Sequence, residues 1–250
     1  MSDFNRGLSG PATIPADMSV DLGLRAFMLG IYNKMALGLV ISAALAWVTS
    51  SYPPVRDVLF VAQQTPRGLV YGPTILGLIL SLSPIAVLLI GQFAVKQSPR
   101  SSGIVYWLTV CLFGASLGLI GLIYTQMSIF TTFLITAVAF GSLSLAGYTT
   151  KRDISGWGGF LIMGVVGIIV ASVVNMFMQS GVLYFAINVI GVLIFAGLTA
   201  YDTQRLKLTY HQLGGNEAAL GVATNYGALS LYLDFLNMFL FLLRLFGSRR

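Results

Sequence analysis

The chain has 250 residues and a mass of 26.8 kDa; 56% of the residues are apolar, only 9% are charged, and the mean hydropathy is +0.86. A soluble domain carries roughly a quarter charged side chains, so there is too little charge here to cover a water-facing surface, and secreted disulfide scaffolds, coiled coils and disordered tails are excluded as well. The formal charge of +6 comes from 14 Lys and Arg spread in ones and twos along the chain, a pattern that sets membrane topology and argues against nucleic acid as a partner.

Residues 1–25 are polar, hold Asp3, Arg6, Asp17, Asp21 and Arg25, and lack the apolar core of a cleavable signal peptide, so they read as a cytosolic N-terminal tail. Residues 26–250 read as a single transmembrane domain. Apolar blocks run at about 26–50, 71–95, 103–125, 128–148, 157–178, 182–204 and 224–246, each near the ~20 residues that cross a bilayer. The predicted fold is therefore an all-α membrane protein, a seven-transmembrane-helix bundle without a soluble domain. The connections are short and collect turn-forming and charged residues, as in Ser98-Pro99-Arg100 and Lys151-Arg152-Asp153. With the N-terminus in the cytosol, the tail and even-numbered loops hold Arg6, Arg25, Lys96, Arg100, Lys151, Arg152, Arg205 and Lys207, and the first outer loop holds Arg56 and Arg67. The positive-inside rule favours that orientation. Arg244, Arg249 and Arg250 oppose it if the last block crosses completely, which leaves two readings: an outvoted bias or an incomplete last span.

An ionisable side chain inside a membrane helix costs a few kcal/mol or more, so it needs a partner, a cavity or a function. Six of the eight acidic residues lie in tails or loops; the other two are Asp202 and Asp234. Asp234 lies well inside the seventh block. At helical spacing Tyr226, Ser230, Asp234 and Asn237 share one face, a polar stripe expected to look into the bundle. Asp202 closes the sixth block, with Asn188 nearly four turns earlier on much the same face. Consecutive spans usually pack together, so the two carboxylates meet near the cytosolic mouth if the sixth helix runs past Gln204 or the seventh starts near Ala228. A pair of that kind shares a proton around neutral pH and binds a cation when ionised, which makes it a proton-sensitive gate or a cation site. The bland alternative pairs Asp202 with Arg205 at a helix end and satisfies Asp234 with Asn237, Tyr232 or Lys34.

Lys34, the only lysine inside an apolar block, either snorkels to the interface or pairs with a buried carboxylate. Gly114-Ala115-Ser116-Leu117-Gly118 matches a nucleophile-elbow pattern and also a small-residue packing pattern; the single histidine, His211, falls in a polar loop, so packing is the expected reading. Cys111, the only cysteine, reads as a small apolar filler, and a zinc site is not expected from one cysteine and one histidine.

Three segments together resemble the Bax inhibitor-1 family, in particular its bacterial members. They are Tyr148-Thr149-Thr150-Lys151-Arg152-Asp153-Ile154-Ser155-Gly156-Trp157, then Gly197-Leu198-Thr199-Ala200-Tyr201-Asp202-Thr203-Gln204, and Ser230-Leu231-Tyr232-Leu233-Asp234-Phe235-Leu236-Asn237 continuing to Leu243-Arg244-Leu245-Phe246-Gly247. The resemblance implies a bundle with the last helix central, in a bacterial inner membrane, and a pH-regulated calcium or cation leak that works through a pair of aspartates mapping onto Asp202 and Asp234. Calcium and protons are then permeant or regulatory ions, and no organic cofactor is expected. In some members a basic residue of the second helix latches the pair; the block 71–95 here has no Lys or Arg, and Lys34 is the candidate to replace it. Ser230, Asn237 and Tyr226 would line the path. The resemblance also implies, as an alternative, a non-catalytic regulator of a membrane protease or another membrane complex. An enzyme is not expected: an intramembrane aspartyl protease also pairs aspartates on its sixth and seventh helices, but its second aspartate follows a Gly-x-Gly run where this chain has Leu231-Tyr232-Leu233.

Overall fold

The computed structural model describes residues 21–65, 68–93 and 96–250; the greater part of the expected tail, residues 1–20, and Arg67 of the first outer loop lie outside them. Helix α1 spans Leu22–Ser51, so the tail ends earlier than expected; the Asp21 carboxylate accepts from the Leu24 N–H and satisfies one of the orphan donors of the first turn. A short helix α2 (Pro53–Leu59) and an antiparallel hairpin of β1 (Phe60–Thr65) and β2 (Gly68–Pro73) follow. The hairpin corrects the predicted second block: residues 71–73 are strand, and helix α3 runs from Ile75 to Phe93. Pro84 inside α3 removes the backbone donor that would meet the Leu80 carbonyl, and the Ser83 hydroxyl donates to that carbonyl instead, at 2.7 Å.

The third block is two helices, α4 (Pro99–Ser116) and α5 (Gly118–Ile123), which meet at Leu117. A reciprocal Ser98–Ser101 capping box with Pro99 in the first turn starts α4. Then come α6 (Gln126–Thr149), α7 (Trp157–Met178), α8 (Gly181–Leu213) and α9 (Glu217–Phe246). Both of the last two are longer than the blocks at 182–204 and 224–246, because their polar ends stay helical beyond the apolar stretch. His211 therefore sits on the last turn of α8, edge-on against Tyr210, rather than in a loop. Gly214 and Gly215, at φ 55° and 84°, reverse the chain between α8 and α9 in a left-handed conformation that costs glycine little.

Among the described residues six helices are long and apolar enough to cross a membrane: α1, α4 with α5, α6, α7, α8 and α9. The expectation of seven spans is met for these six; α3 is apolar but shorter. Helix α9 is the centre, packed by α1, α4, α6 and α8, and is by far the most buried of the six. Helix α3 lies outside on α4, and α7 outside on α8. Phe133 and Phe140 of α6 meet Phe235 and Phe239 of α9 edge to face, contacts worth about 0.5–1.5 kcal/mol each beyond area burial.

Helix α9 runs the whole length of the bundle. Thirty residues reach about 45 Å at ~1.5 Å per residue. Its far end is tied to the α5–α6 junction, where the Thr125 N–H donates to the Ser248 carbonyl and the Arg250 N–H to the Ile123 carbonyl. The same principle of close packing explains Gly114-Ala115-Ser116-Leu117-Gly118: a Cβ at Gly114 would stand 2.6 Å from the Ser42 Cα of α1, and the Ser116 hydroxyl only donates back to Phe113 O.

Candidate functional site

The site lies where α8 and α9 run antiparallel. Gly227 of α9 packs on Leu206 of α8, and a side chain at Gly191 of α8 would strike the Phe241 ring of α9, which fixes the register between the two helices. In that register Ser230 stands level with Asp202, and its hydroxyl donates to Asp202 Oδ2 at 2.5 Å. Arg205, one turn on and largely exposed, places Nη1 3.8 Å from Asp202 Oδ1. Asp202 is 7% exposed and Asp234, one turn beyond Ser230, is 5% exposed.

The two carboxylates differ in what surrounds them. Asp202 has a hydroxyl and a cation. Asp234 Oδ2 is buried with no hydrogen-bond partner. The charges that act on it are those of Asp202 and Arg205. No hydrogen bond joins the two aspartates; Ser230 stands on the Asp202 side of the gap. A cavity of about 100 Å³ opens beside Asp202, walled by Asp202, Arg205, Leu206 and Thr209 of α8 and by Ala223, Tyr226, Gly227 and Ser230 of α9; Asp234 does not line it. Of the two conditions set by the sequence the first is met, since α8 runs nine residues past Gln204 to Leu213; the second is not, since α9 begins at Glu217, well before Ala228.

The polar stripe of α9 is corrected in one respect. Asp234 is buried as expected, but Tyr226, Ser230 and Asn237 are half-buried, on the side of α9 that its neighbours cover least. Tyr226 donates weakly to Gly91 O of α3 at 3.4 Å, and Asn237 donates back to Leu233 O at 2.8 Å. Neither bonds to Asp234. The reason is the composition of α9 itself: its other faces are Leu, Phe and Met, and these take the contacts with α1, α4, α6 and α8. Asn188 of α8 is almost wholly buried, its Nδ2 donating to Tyr184 O while Oδ1 finds no partner.

Lys34 does not pair with a carboxylate, one of the two readings given for it. Its ammonium donates to Asn225 Oδ1 and lies 5.3 Å and 5.7 Å from the ring centres of Tyr106 and Trp107. Asn225 in turn donates to Ser102 Oγ at 2.8 Å and to Pro99 O at 2.9 Å, and the Tyr106 hydroxyl donates to Lys34 O at 2.7 Å. The lysine therefore ties α1 to α9 and α4, and it does so without a carboxylate.

Two buried amides escaped the sequence reading. Asn225 is nine residues before Asp234, which at 100° per residue puts it on the opposite face of α9, off the stripe that was followed. Gln204 accepts from the Ile154 N–H at 2.9 Å and donates to Arg152 O at 2.8 Å, pinning the α6–α7 loop to α8 two residues from Asp202. The signal for both was an amide inside or at the edge of an apolar block.

Comparison with known proteins agrees with this architecture. Residues 24–250 match the family described as inhibitor of apoptosis-promoting Bax1. The chain is 57% identical over its full length to an uncharacterized protein of Caulobacter vibrioides that it also covers completely. It is 41% identical to the inner membrane protein YbhL of Escherichia coli K12, over 91% of this chain and 94% of that one, and 37% identical to an uncharacterized protein of Rickettsia prowazekii across the whole of both. With a family match from the third residue of α1 to the last residue of the chain, and 41% identity to YbhL over nearly the whole of both chains, this multi-pass membrane protein belongs to the Bax inhibitor-1 family.

Proposed function

We propose that the protein is a passive, pH-sensitive leak for calcium or a similar cation, with the Asp202–Asp234 pair as its gate. The observation that carries this reading is Asp234 Oδ2, buried and unpartnered one turn along α9 from Ser230, whose hydroxyl is held by Asp202 beside the Arg205 cation. A charge left in that position is costly, so the pair is held with a proton or with a cation between the helices, and losing either one changes the force between α8 and α9. Ser230 is the relay between them, bonded to Asp202 and one turn from Asp234. Because α9 touches four other helices, a shift at this seam is felt throughout the bundle.

The end of the bundle that holds Asp202 also holds Arg25, Lys96, Arg100, Lys151, Arg152, Arg205 and Lys207, and by the positive-inside rule it is the cytosolic end. The membrane is then the bacterial inner membrane, as it is for YbhL. A protease mechanism is disfavoured by packing: Tyr232 and Leu231, next to Asp234 in sequence, are fully buried, and the Tyr232 hydroxyl is bonded to Ser42 Oγ at 2.8 Å, so no substrate strand has room beside the carboxylate.

The test is calcium entry into liposomes that contain the purified protein and a trapped calcium indicator, followed across a pH series. Wild-type protein is expected to pass calcium at a rate that changes with pH, and Asp234→Asn is expected to abolish the change. Unaltered pH-dependent flux in Asp234→Asn, or no flux in the wild type, overturns the reading.

A further inference from the structure

A second cavity, of about 810 Å³, lies away from the aspartates, between α1 and α6. Both helices pack on α9 and α8 but barely on each other, so the cleft opens sideways from the bundle. Its lining changes with depth in a definite order. At the mouth stand Asp21 and Arg25 of α1 and Tyr148 of α6; one to two turns deeper come Tyr32, Asn33 and Ser144; deeper still, Met35, Ala36, Phe140 and Gly141. Arg25 to Ala36 is eleven residues, about 16 Å along the helix.

We propose that this cleft binds one anionic glycerophospholipid. The order of its lining is the order of the lipid: a cation for the phosphate, amide and hydroxyl groups for the glycerol esters, an apolar slot for an acyl chain. Charge complementarity favours an anionic headgroup over a zwitterionic one. Arg25 is exposed and makes no ion pair among the described residues. Asp21, the acid beside it, is already engaged by the Leu24 N–H at 2.9 Å and the Tyr210 hydroxyl at 3.5 Å. Lys151 and Arg152, both exposed, follow Tyr148 by three and four residues and add positive charge at the same end. The floor is prepared as well: Tyr32 and Ser144 hydroxyls are bonded at 2.6 Å, and Ser144 to Thr203 at 2.9 Å, so the polar middle of the cleft is held by α1, α6 and α8 together. A basic pocket between membrane helices at the cytosolic side is the setting in which anionic headgroups are recognised.

Gly141 offers a clean test, because a Cβ added there meets nothing within 4 Å. Gly141→Phe would fill the slot without displacing backbone. Purified protein is mixed with equal amounts of palmitoyl-oleoyl phosphatidylglycerol and phosphatidylcholine and examined by native mass spectrometry. Wild type is expected to retain a single lipid, with phosphatidylglycerol preferred about fivefold, the effect of one interfacial arginine. Gly141→Phe is expected to lose that lipid and Arg25→Gln to lose the preference alone. Retention unchanged in Gly141→Phe overturns the proposal, as does a wild type that holds no lipid or holds both equally. Should Gly141→Phe fail to elute as a folded species, the headgroup preference of Arg25→Gln decides by itself: loss supports the site, and an unchanged preference overturns it.

Discussion

Asn225 and Asp234 stand on the same helix, nine residues apart and on opposite faces, and the bundle treats them in opposite ways. Asn225 is met on every side: Lys34 donates to its oxygen, and its nitrogen donates to Ser102 and to the Pro99 carbonyl. Asp234 is buried to the same degree, yet one of its oxygens has nothing. Where a buried polar group is fully satisfied it fixes the helices around it; where it is left short, the deficit is available to a proton or a cation. One end of α9 is therefore a clamp, and the next two turns are a place that responds.

The largest effect is expected from breaking the clamp. Asn225→Leu strands the Lys34 ammonium and Ser102 together, and should lower stability by about 1–3 kcal/mol, read as an earlier thermal transition of the purified protein in detergent. Ser230→Ala sharpens the comparison from the other side: by removing the donor to Asp202 it makes both aspartates poorly satisfied, at a cost of about 1 kcal/mol, and should change the calcium flux without changing α1–α9 packing. Lys34→Met removes the ring contacts and the charge but keeps the volume, and a loss of about 0.5–1 kcal/mol is expected in the same thermal assay. Asp234→Asn should have the smallest effect on stability, and of opposite sign: with the charge gone from a position lacking a partner, the thermal transition stays or moves upward while pH-dependent flux disappears. A marked destabilisation in Asp234→Asn would mean that its carboxylate is satisfied after all, and the contrast with Asn225 would collapse.

Much of this was legible in the chain. Asp202 and Asp234 stand out because acidic residues are so few, and the helices carrying them were found because long apolar blocks have one explanation in lipid. The hairpin at 60–73 was not found: Val70 and Tyr71 continue smoothly into the apolar run of α3, and hydropathy alone does not separate a strand from the start of a helix. Lys34 and Asn225 were not joined, because they are 191 residues apart and neither has a charge of opposite sign to suggest the other. The half-exposed position of Tyr226, Ser230 and Asn237 was missed for a related reason, since a stripe on a helix wheel says which residues share a face and not which neighbour covers it.

Composition and spacing by themselves determined that this chain lives in a membrane as a helical bundle and that two aspartates in it require an account, because the cost of charge in lipid is a property of the side chain and its depth. The tertiary structure alone decided the rest: that Ser230 and Arg205 serve Asp202 while Asp234 is left short, that Lys34 is claimed by Asn225, and that α1 and α6 leave a cleft between them. Those outcomes depend on the register and rotation of one helix against another, which are set by packing among many apolar side chains of nearly equal hydropathy.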